Sequence, residues 1–102
     1  MYPAPEGLSV IDAPDGVVVV AGELDAASAG QLARRLAAPP SVRVIDLSGV
    51  TFIDASGLRA LVEATSDAGA NRRRLRSPSP PVVRLCEITG LTAMMQHTGG
   101  SG

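Results

Sequence analysis

Aromatic side chains are nearly absent from this sequence of 102 residues. It contains no tryptophan, and Tyr2 and Phe52 are its only tyrosine and phenylalanine. So little aromatic surface leaves the protein little with which to stack nucleic-acid bases. Because 45% of the residues are hydrophobic, the chain can still bury a core. That core must be built from valine, leucine, isoleucine and alanine.

Cysteine and net charge are also scarce. Cys86 is the single cysteine, which excludes an internal disulfide. The formal net charge of −1 gives no field that would steer the chain to nucleic acid or to an anionic membrane. No apolar run approaches the roughly 20 residues of a membrane span, and no signal peptide precedes the first predicted strand. We therefore expect a cytoplasmic protein that contacts neither nucleic acid nor membrane directly.

The residue types that build metal, nucleotide and hydrolase sites are few. His97 is the only histidine, and no second histidine, cysteine or close acidic set completes a metal site with it. The sequence lacks a G-x-x-x-x-G-K-[ST] phosphate loop and the G-x-S-x-G elbow of many serine hydrolases. We expect no cofactor, no metal and no enzymatic activity.

The length predicts one domain over residues 8–96, with a flexible lead-in at 1–7 and a flexible tail at 97–102. Strand patterns at 8–11 and 17–21 flank turn residues and predict a hairpin. A helix is expected at 26–37, capped by Asp25 and stopped by Pro39 and Pro40. The strand that follows, 42–47, should run parallel to the second strand because a helix joins them. Asp46 within that strand is given a structural role.

The second half of the chain repeats the strand and helix patterns. Leu58, Leu61, Val62 and Thr65 form the apolar stripe of a second helix, expected from 58 to 68 and ended by Gly69. A loop is predicted at 77–81 because prolines follow one another there. A third helix carries Val82, Leu85, Cys86 and Thr89, ends with Gly90 at its C′ position, and is followed by a short helix at 91–95. These elements predict a small α/β domain with a mixed sheet of about four strands and about four helices.

The stretch from Ile53 to Leu58, I-D-A-S-G-L, joins a buried strand to a helix. The start of a helix leaves backbone N–H groups without partners and carries partial positive charge. Ser56 or Asp54 can cap this helix. A phosphate on Ser56 would be stabilised by the same N–H groups and by the helix dipole. Capping and phosphorylation are therefore the two roles open to Ser56.

Three motifs resemble those of STAS domains, and specifically of bacterial anti-sigma factor antagonists. V-I-D-L-S-G-V-T-F-I-D-A-S-G-L-R-A-L at 44–61 resembles the signature of the family, G-E-L-D at 22–25 its second patch, and R-L-C-E-I-T-G-L at 84–91 its closing motif. The resemblance covers most of the chain. It implies a STAS fold.

The resemblance also implies a function. Ser56 occupies the position that a partner kinase phosphorylates, and Asp25 is a candidate for the same switch surface as well as a helix cap. The unphosphorylated protein would bind an anti-sigma factor that is also a serine kinase, and so free a sigma factor. Phosphorylation would end that complex, and a serine phosphatase would restore it. The partner-binding surface implied in this way consists of Glu23, Asp25, Asp54, Ala55, Ser56, Gly57 and Leu58.

Other functions remain open at this point. A STAS protein can also be a scaffold of the stressosome kind or a cytoplasmic subunit of a lipid transporter. A serine hydrolase that uses Ser56 is a more distant alternative, because no well-placed histidine would activate the hydroxyl.

The arginine-rich run at 72–76 departs from the family, which usually has a more apolar strand there. It is either a basic patch for an acidic partner or nucleic acid, or a solvated edge strand whose charges discourage pairing with other sheets. The low net charge and the absence of interleaved aromatic residues favour the edge strand.

Overall fold

The computed structural model describes residues 7–66 and 73–91. Its elements are β1 Leu8–Ala13, a 3₁₀ turn Pro14–Gly16, β2 Val17–Leu24, α1 Ala29–Ala37, β3 Val44–Ile53, α2 Ala55–Ser66, β4 Arg74–Arg76 and α3 Pro80–Thr89. The four strands form one sheet in the order β1-β2-β3-β4. Strand β1 is antiparallel to β2, and the other two pairs are parallel. The predicted mixed α/β architecture is confirmed.

The predicted hairpin is present, and its turn explains why the chain reverses there. Asp15 and Gly16 have φ angles of 66° and 76°, a left-handed conformation that aspartate tolerates and glycine adopts readily. Six residue pairs then join β1 to β2, from Leu8 opposite Gly22 to Ala13 opposite Val17. The hairpin thus sets the antiparallel edge of the sheet.

One aliphatic cluster connects the sheet to all three helices. Completely buried side chains come from every layer, and full burial of a side chain of this size contributes about 1.5–3 kcal/mol. They include Val18, Val20 and Leu24 of β2, Ile45 and Leu47 of β3, Leu75 of β4, Leu32 of α1, Leu61 of α2, and Val82 and Cys86 of α3. The core is therefore aliphatic, as the composition predicts.

The starts of all three helices differ from the predictions. Helix α1 begins at Ala29 instead of residue 26, and α2 begins at Ala55 instead of residue 58. Helix α3 begins at Pro80, inside the predicted loop, because proline fits a first helical turn where its missing N–H needs no partner. Its predicted end is confirmed: Gly90 is left-handed, and the Leu91 N–H donates to the Cys86 carbonyl at 2.8 Å.

Strand β3 is longer than predicted, since it continues to Ile53 through two irregularities in its pairing with β2. Several expectations lie outside the described residues: the end of α2 at Gly69, the helix at 91–95 apart from Leu91, and nearly all of the two terminal segments.

Helix α2 lies directly against the end of β2 at Gly57. A Cβ atom on this residue would overlap the backbone carbonyl oxygen of Leu24 and lie 2.8 Å from its carbon. Backbone at the end of a strand cannot move aside as the tip of a side chain can, so only glycine permits this approach. The same contact fixes the height of the first turn of α2 above the sheet.

Strand β4 lies at the edge of the sheet, as predicted for the arginine-rich run. It pairs with β3 through Val44–Arg74, Ile45–Leu75 and Asp46–Arg76. Leu75 is fully buried, while Arg74 and Arg76 are exposed. Charged flanks on a short edge strand oppose pairing with another sheet.

The predicted structural role of Asp46 is also confirmed. Its side chain is buried and accepts hydrogen bonds from the Ser48 N–H at 2.9 Å and the Ser48 hydroxyl at 2.6 Å. The Arg76 guanidinium donates to its other oxygen at 2.9–3.0 Å. Burial raises the pKa of this carboxyl, but the bonds from Ser48 and then Arg76 outweigh burial, and the pKa lies below its ordinary value.

We expect Gly57→Ala to destabilise the domain by about 1–3 kcal/mol, because the new methyl group must push α2 off the Leu24 carbonyl. Gly30→Ala is the matched control, since Gly30 lies in the first turn of α1 and its Cβ would meet only an Arg34 nitrogen at 3.5 Å. There the gain in helix propensity should stabilise the domain by up to about 1 kcal/mol. Urea unfolding measures both changes. The close contact would be contradicted if Gly57→Ala were as stable as Gly30→Ala or more stable.

We expect Asp46→Asn to lower the free energy of unfolding at pH 7 by about 1–2 kcal/mol, because charge-assisted hydrogen bonds are lost. A carboxyl whose pKa is lowered in the folded state stabilises above its unfolded value, near 3.8, and this stabilisation disappears as pH falls through the folded pKa. The difference between wild type and variant should therefore shrink below about pH 4.

Asp12→Asn provides the control for this experiment, because the Asp12 side chain is 59% exposed in its salt bridge with Arg35, whereas the Asp46 side chain is 11% exposed. Its loss should cost less than about 1 kcal/mol. A difference between wild type and Asp46→Asn that stays constant from pH 7 to pH 3 would show that the carboxylate charge is not what stabilises the fold.

Candidate functional site

The two sequence patches that carry the candidate site meet at the carboxyl ends of β2 and β3. Leu24 pairs with Ile53 at the last position of both strands. The Asp54 N–H then donates to the Leu24 carbonyl at 3.3 Å. Asp25 and Asp54 therefore leave the sheet side by side, and the segment 22–25 lies next to the segment 53–58.

Asp54 is the residue that caps α2. Its Oδ1 accepts a hydrogen bond from the Gly57 N–H at 3.0 Å, and its carbonyl accepts the first helical bond, from Leu58, at 2.9 Å. An aspartate in this position satisfies a free N–H group and adds favourable charge at the N-terminus of the helix. The sequence left open whether Asp54 or Ser56 caps this helix. Since Asp54 is the cap, the Ser56 side chain is not needed for capping.

Ser56 is the second residue of α2, and its side chain is exposed. Within residues 7–66 and 73–91 its hydroxyl makes no hydrogen bond. It stands in the first turn, where the helix dipole is positive. The hydroxyl is therefore accessible to another protein and is placed where an added anion gains from the helix.

Asp25 does not cap α1 directly, which corrects the prediction. The N-cap is Ser28, and Asp25 instead closes the turn before the helix, where its Oδ1 accepts from the N–H groups of Ala27 and Ser28 at 3.0 and 3.1 Å. The helical pattern of the alanines extends through this turn, so it could not mark where the helix begins.

Ser28 was missed by the sequence interpretation. It is buried, its hydroxyl donates to the Glu23 carbonyl at 2.7 Å, and it accepts from the Asp25 N–H at 3.0 Å. This serine thus ties the end of β2 to the start of α1 and fixes the position of Asp25. The spacing D-x-x-S in the sequence could have predicted this hydrogen-bonded turn.

The residues predicted to bind a partner differ in accessibility. Glu23, Ala55 and Ser56 are exposed, Asp25 and Asp54 are half-buried, and Gly57 and Leu58 are buried. Leu58, only 4% exposed, belongs to the core. The accessible part of the predicted surface is therefore small, acidic and centred on the first turn of α2.

Phe52 is an exposed residue at the same end of the sheet that the prediction left out. It is paired with Glu23 across β2 and β3, and it is 49% exposed. Paired residues of neighbouring strands project on the same face. Aromatic side chains are enriched at protein-binding surfaces. The position of Phe52 in the sequence, two residues before Asp54, could have pointed to it.

A groove of about 620 Å³ runs between α1 and α2 and begins beside Ser56. Arg73 lies at its other end, where its guanidinium donates to the carbonyls of Leu36 and Ala64 at 3.0 and 3.2 Å. This arginine therefore joins the last turn of α1 to the last described turn of α2, and positive charge is favourable towards the carboxyl end of a helix. Most of the remaining lining is small or charged: Ala26, Ala29, Gly30, Ala33, Ala37, Ala55, Arg59, Ala60, Glu63 and Ala64.

Other kinds of site find little support in the described part of the chain. No group of three or more His, Cys, Asp or Glu residues there could hold a metal ion. The Cys86 thiol is buried in the core, and burial raises its pKa, so it remains an unreactive thiol. Within the same residues, each helix is too short or too polar to cross a membrane.

Comparison with known proteins identifies the family. A family model described as "Mlab, STAS domain" matches residues 10–97. Among solved structures, the anti-sigma factor antagonist SpoIIAA in its unphosphorylated form is similar, with a TM-score of 0.63 and 24% sequence identity over 85% of this chain and 84% of that chain. No curated protein matches the sequence. Because the family model spans most of the chain, the chain belongs to the STAS-domain family.

Proposed function

We propose that this protein is an anti-sigma factor antagonist switched by phosphorylation of Ser56. Unphosphorylated, it binds an anti-sigma factor that is also a serine kinase, and the sigma factor held by that partner is released. The exposed hydroxyl in the first turn of α2, beside the ends of β2 and β3, is the observation that carries this proposal. Membership of the STAS family and the structural similarity to SpoIIAA support it.

In the proposed cycle the partner supplies the catalysis. The γ-phosphoryl group of ATP is transferred to Ser56 Oγ, the hydroxyl proton passes to a base of the kinase, and ADP leaves. A serine phosphatase later hydrolyses the phosphate ester and restores the hydroxyl. The STAS domain itself then acts as substrate and ligand, with no enzymatic activity of its own.

The position of Ser56 makes the phosphate compatible with the fold. The side chain is already exposed, so no buried group must be displaced. A phosphoserine carries about −1.5 to −2 charges at neutral pH, and an anion in the first turn of a helix is favourable. Phosphorylation should therefore leave the domain folded.

The same charge should weaken binding to the partner. Glu23, Asp25 and Asp54 already place negative charge around Ser56 on the accessible surface, and a docking partner must match or desolvate every charge that it covers. A mismatch of about 3 kcal/mol would lower affinity on the order of a hundredfold. The switch then acts on the interface, and the fold stays the same.

Phe52 supplies the apolar part of the proposed interface. It is half-exposed beside Glu23 and lies on the end of β3 that leads into α2. Aromatic side chains at the centre of an interface often contribute most of its binding energy. In this proposal Phe52 anchors the partner, while the acidic residues and Ser56 set its dependence on charge.

We expect Ser56→Ala to keep partner affinity within about twofold and to abolish phosphorylation, whereas Ser56→Asp should weaken binding about tenfold or more. Calorimetric titration against the kinases encoded near this protein measures the affinities, and mass spectrometry after incubation with ATP locates the modified residue. Ser41→Asp is the matched control, because Ser41 is exposed and lies at the opposite end of the parallel strands. Equal affinities for Ser56→Ala and Ser56→Asp would remove the electrostatic mechanism.

We further expect Asp54→Asn to reduce the effect of phosphorylation on binding. The asparagine oxygen can still accept from the Gly57 N–H, and asparagine caps helices about as well as aspartate. One negative charge is lost from the surface while the structure is kept. The ratio of affinities of unphosphorylated and phosphorylated protein should fall several-fold, and calorimetry on both forms measures it. An unchanged ratio would exclude Asp54 from the charged cluster.

Co-purification separates this proposal from the other functions known among STAS domains. Recovery of a serine kinase that phosphorylates Ser56 supports the antagonist. Recovery of a transporter ATPase, with Ser56 unmodified, favours a cytoplasmic subunit of a lipid transporter. Recovery of a large assembly of STAS proteins favours a scaffold.

A further inference from the structure

Arg59 lies three residues after Ser56 on α2, and both residues line the groove between α1 and α2. Side chains three apart on a helix are neighbours, with Cβ atoms about 5–6 Å from each other. Arg59 is exposed. A guanidinium group can therefore reach the space that a phosphate on Ser56 would occupy.

Several other arginines already bond to groups within the domain, whereas Arg59 does not do so within the described residues. Arg35 and Arg76 form salt bridges with Asp12 and Asp46, and Arg73 bonds to two helix carbonyls. Across residues 7–66 and 73–91, Arg59 takes part in no side-chain hydrogen bond or salt bridge. Its charge is thus available without breaking an existing contact.

Glu63 is the competing partner for Arg59, because it follows four residues later on the same helix. No ion pair within 4 Å joins these two side chains. On a helix, an acidic residue before a basic one is the favourable order, and Arg59 followed by Glu63 has the reverse. A phosphate at position 56 followed by Arg59 has the favourable order and carries nearly twice the charge of a carboxylate.

We propose that Arg59 is the intramolecular partner of phosphorylated Ser56. Its guanidinium donates to the phosphoryl oxygens and holds the modified side chain at the mouth of the α1–α2 groove, as arginine does with phosphate in general. Arg59 is a positioning residue in this scheme. The inference rests on the proposed phosphorylation of Ser56, and it adds the residue that fixes where the phosphate is presented.

The pairing has a consequence for the switch. A phosphate held by Arg59 keeps a defined place on the surface and has part of its charge offset within the domain. The phosphorylated form then presents one arrangement to its partners. A partner that docks on this surface must either accept the pair or break it.

The test uses the full chain with phosphoserine placed at position 56 by genetic-code expansion, so it needs no kinase. The ³¹P chemical shift, followed from pH 4 to pH 8, gives the second pKa of the phosphate, which is ordinarily about 6. Removing a nearby positive charge disfavours the dianion and raises this pKa. We expect Arg59→Gln to raise this pKa by about 0.2–0.4, the shift that corresponds to a helix ion pair of ordinary strength.

Arg84→Gln is the matched control, because Arg84 is exposed on α3 and does not line the groove. Its effect on the phosphate pKa should be smaller than that of Arg59→Gln, because solvent and salt screen an exposed charge that lies outside the groove. Both variants keep the other charged groups at this end of the described elements, which are Glu23, Asp25, Asp54 and Glu63, and also Arg73 at the far end of the groove.

A second readout is the ¹⁵N resonance of Arg59 Nε, which should shift in the phosphoserine protein relative to the serine protein. The proposal is overturned if the pKa is the same with and without Arg59, if Arg84→Gln shifts it equally, or if the Nε resonance does not respond. Absence of any Ser56 phosphorylation by cellular kinases would instead refute the proposed function. The two failures are therefore distinguishable.

Discussion

The contact between the Leu24 carbonyl and the start of α2 is the constraint on which the candidate site depends. Asp54 donates its N–H to this carbonyl at 3.3 Å, and Gly57 packs so closely on it that no Cβ would fit. The two interactions hold the first turn of α2 against the end of β2. Ser56, between Asp54 and Gly57, is left on the exposed side of a turn whose backbone is fixed. A rigid helix turn presents the hydroxyl more reproducibly than a loop would.

Acidic side chains gather at the carboxyl ends of β2 and β3, namely Glu23, Asp25 and Asp54. The net charge of the whole chain is only −1, so it does not reveal this local cluster. A phosphate on Ser56 therefore adds to an existing negative region, and a partner must supply the complementary charge.

Much of the fold could be predicted from sequence because its signals are local. The valine run of β2, the Pro-Asp-Gly turn and the glycine after α3 each determine their own conformation within a few residues. The helix starts were predicted less well, because they depend on contacts between distant segments. Whether Asp54 or Ser56 caps α2 follows from the position of the Leu24 carbonyl, thirty residues earlier in the chain. The resemblance to the family signature predicted a candidate site without this information, but the burial of Leu58 and the exposure of Phe52 required the packed structure.

The proposed switch separates the effect of the phosphate on stability from its effect on binding. Within the domain, the positive end of α2 and the nearby Arg59 stabilise the phosphate, while Asp54 repels it. Each of these interactions contributes about 0.3–1 kcal/mol to the free energy of unfolding, and they largely offset one another. At an interface, water is excluded and the same charge must be desolvated beside three acidic side chains, where a comparable mismatch costs several times more. A modification on an exposed, rigid turn can then change affinity without a change of conformation. This mechanism requires only that the partner covers Ser56.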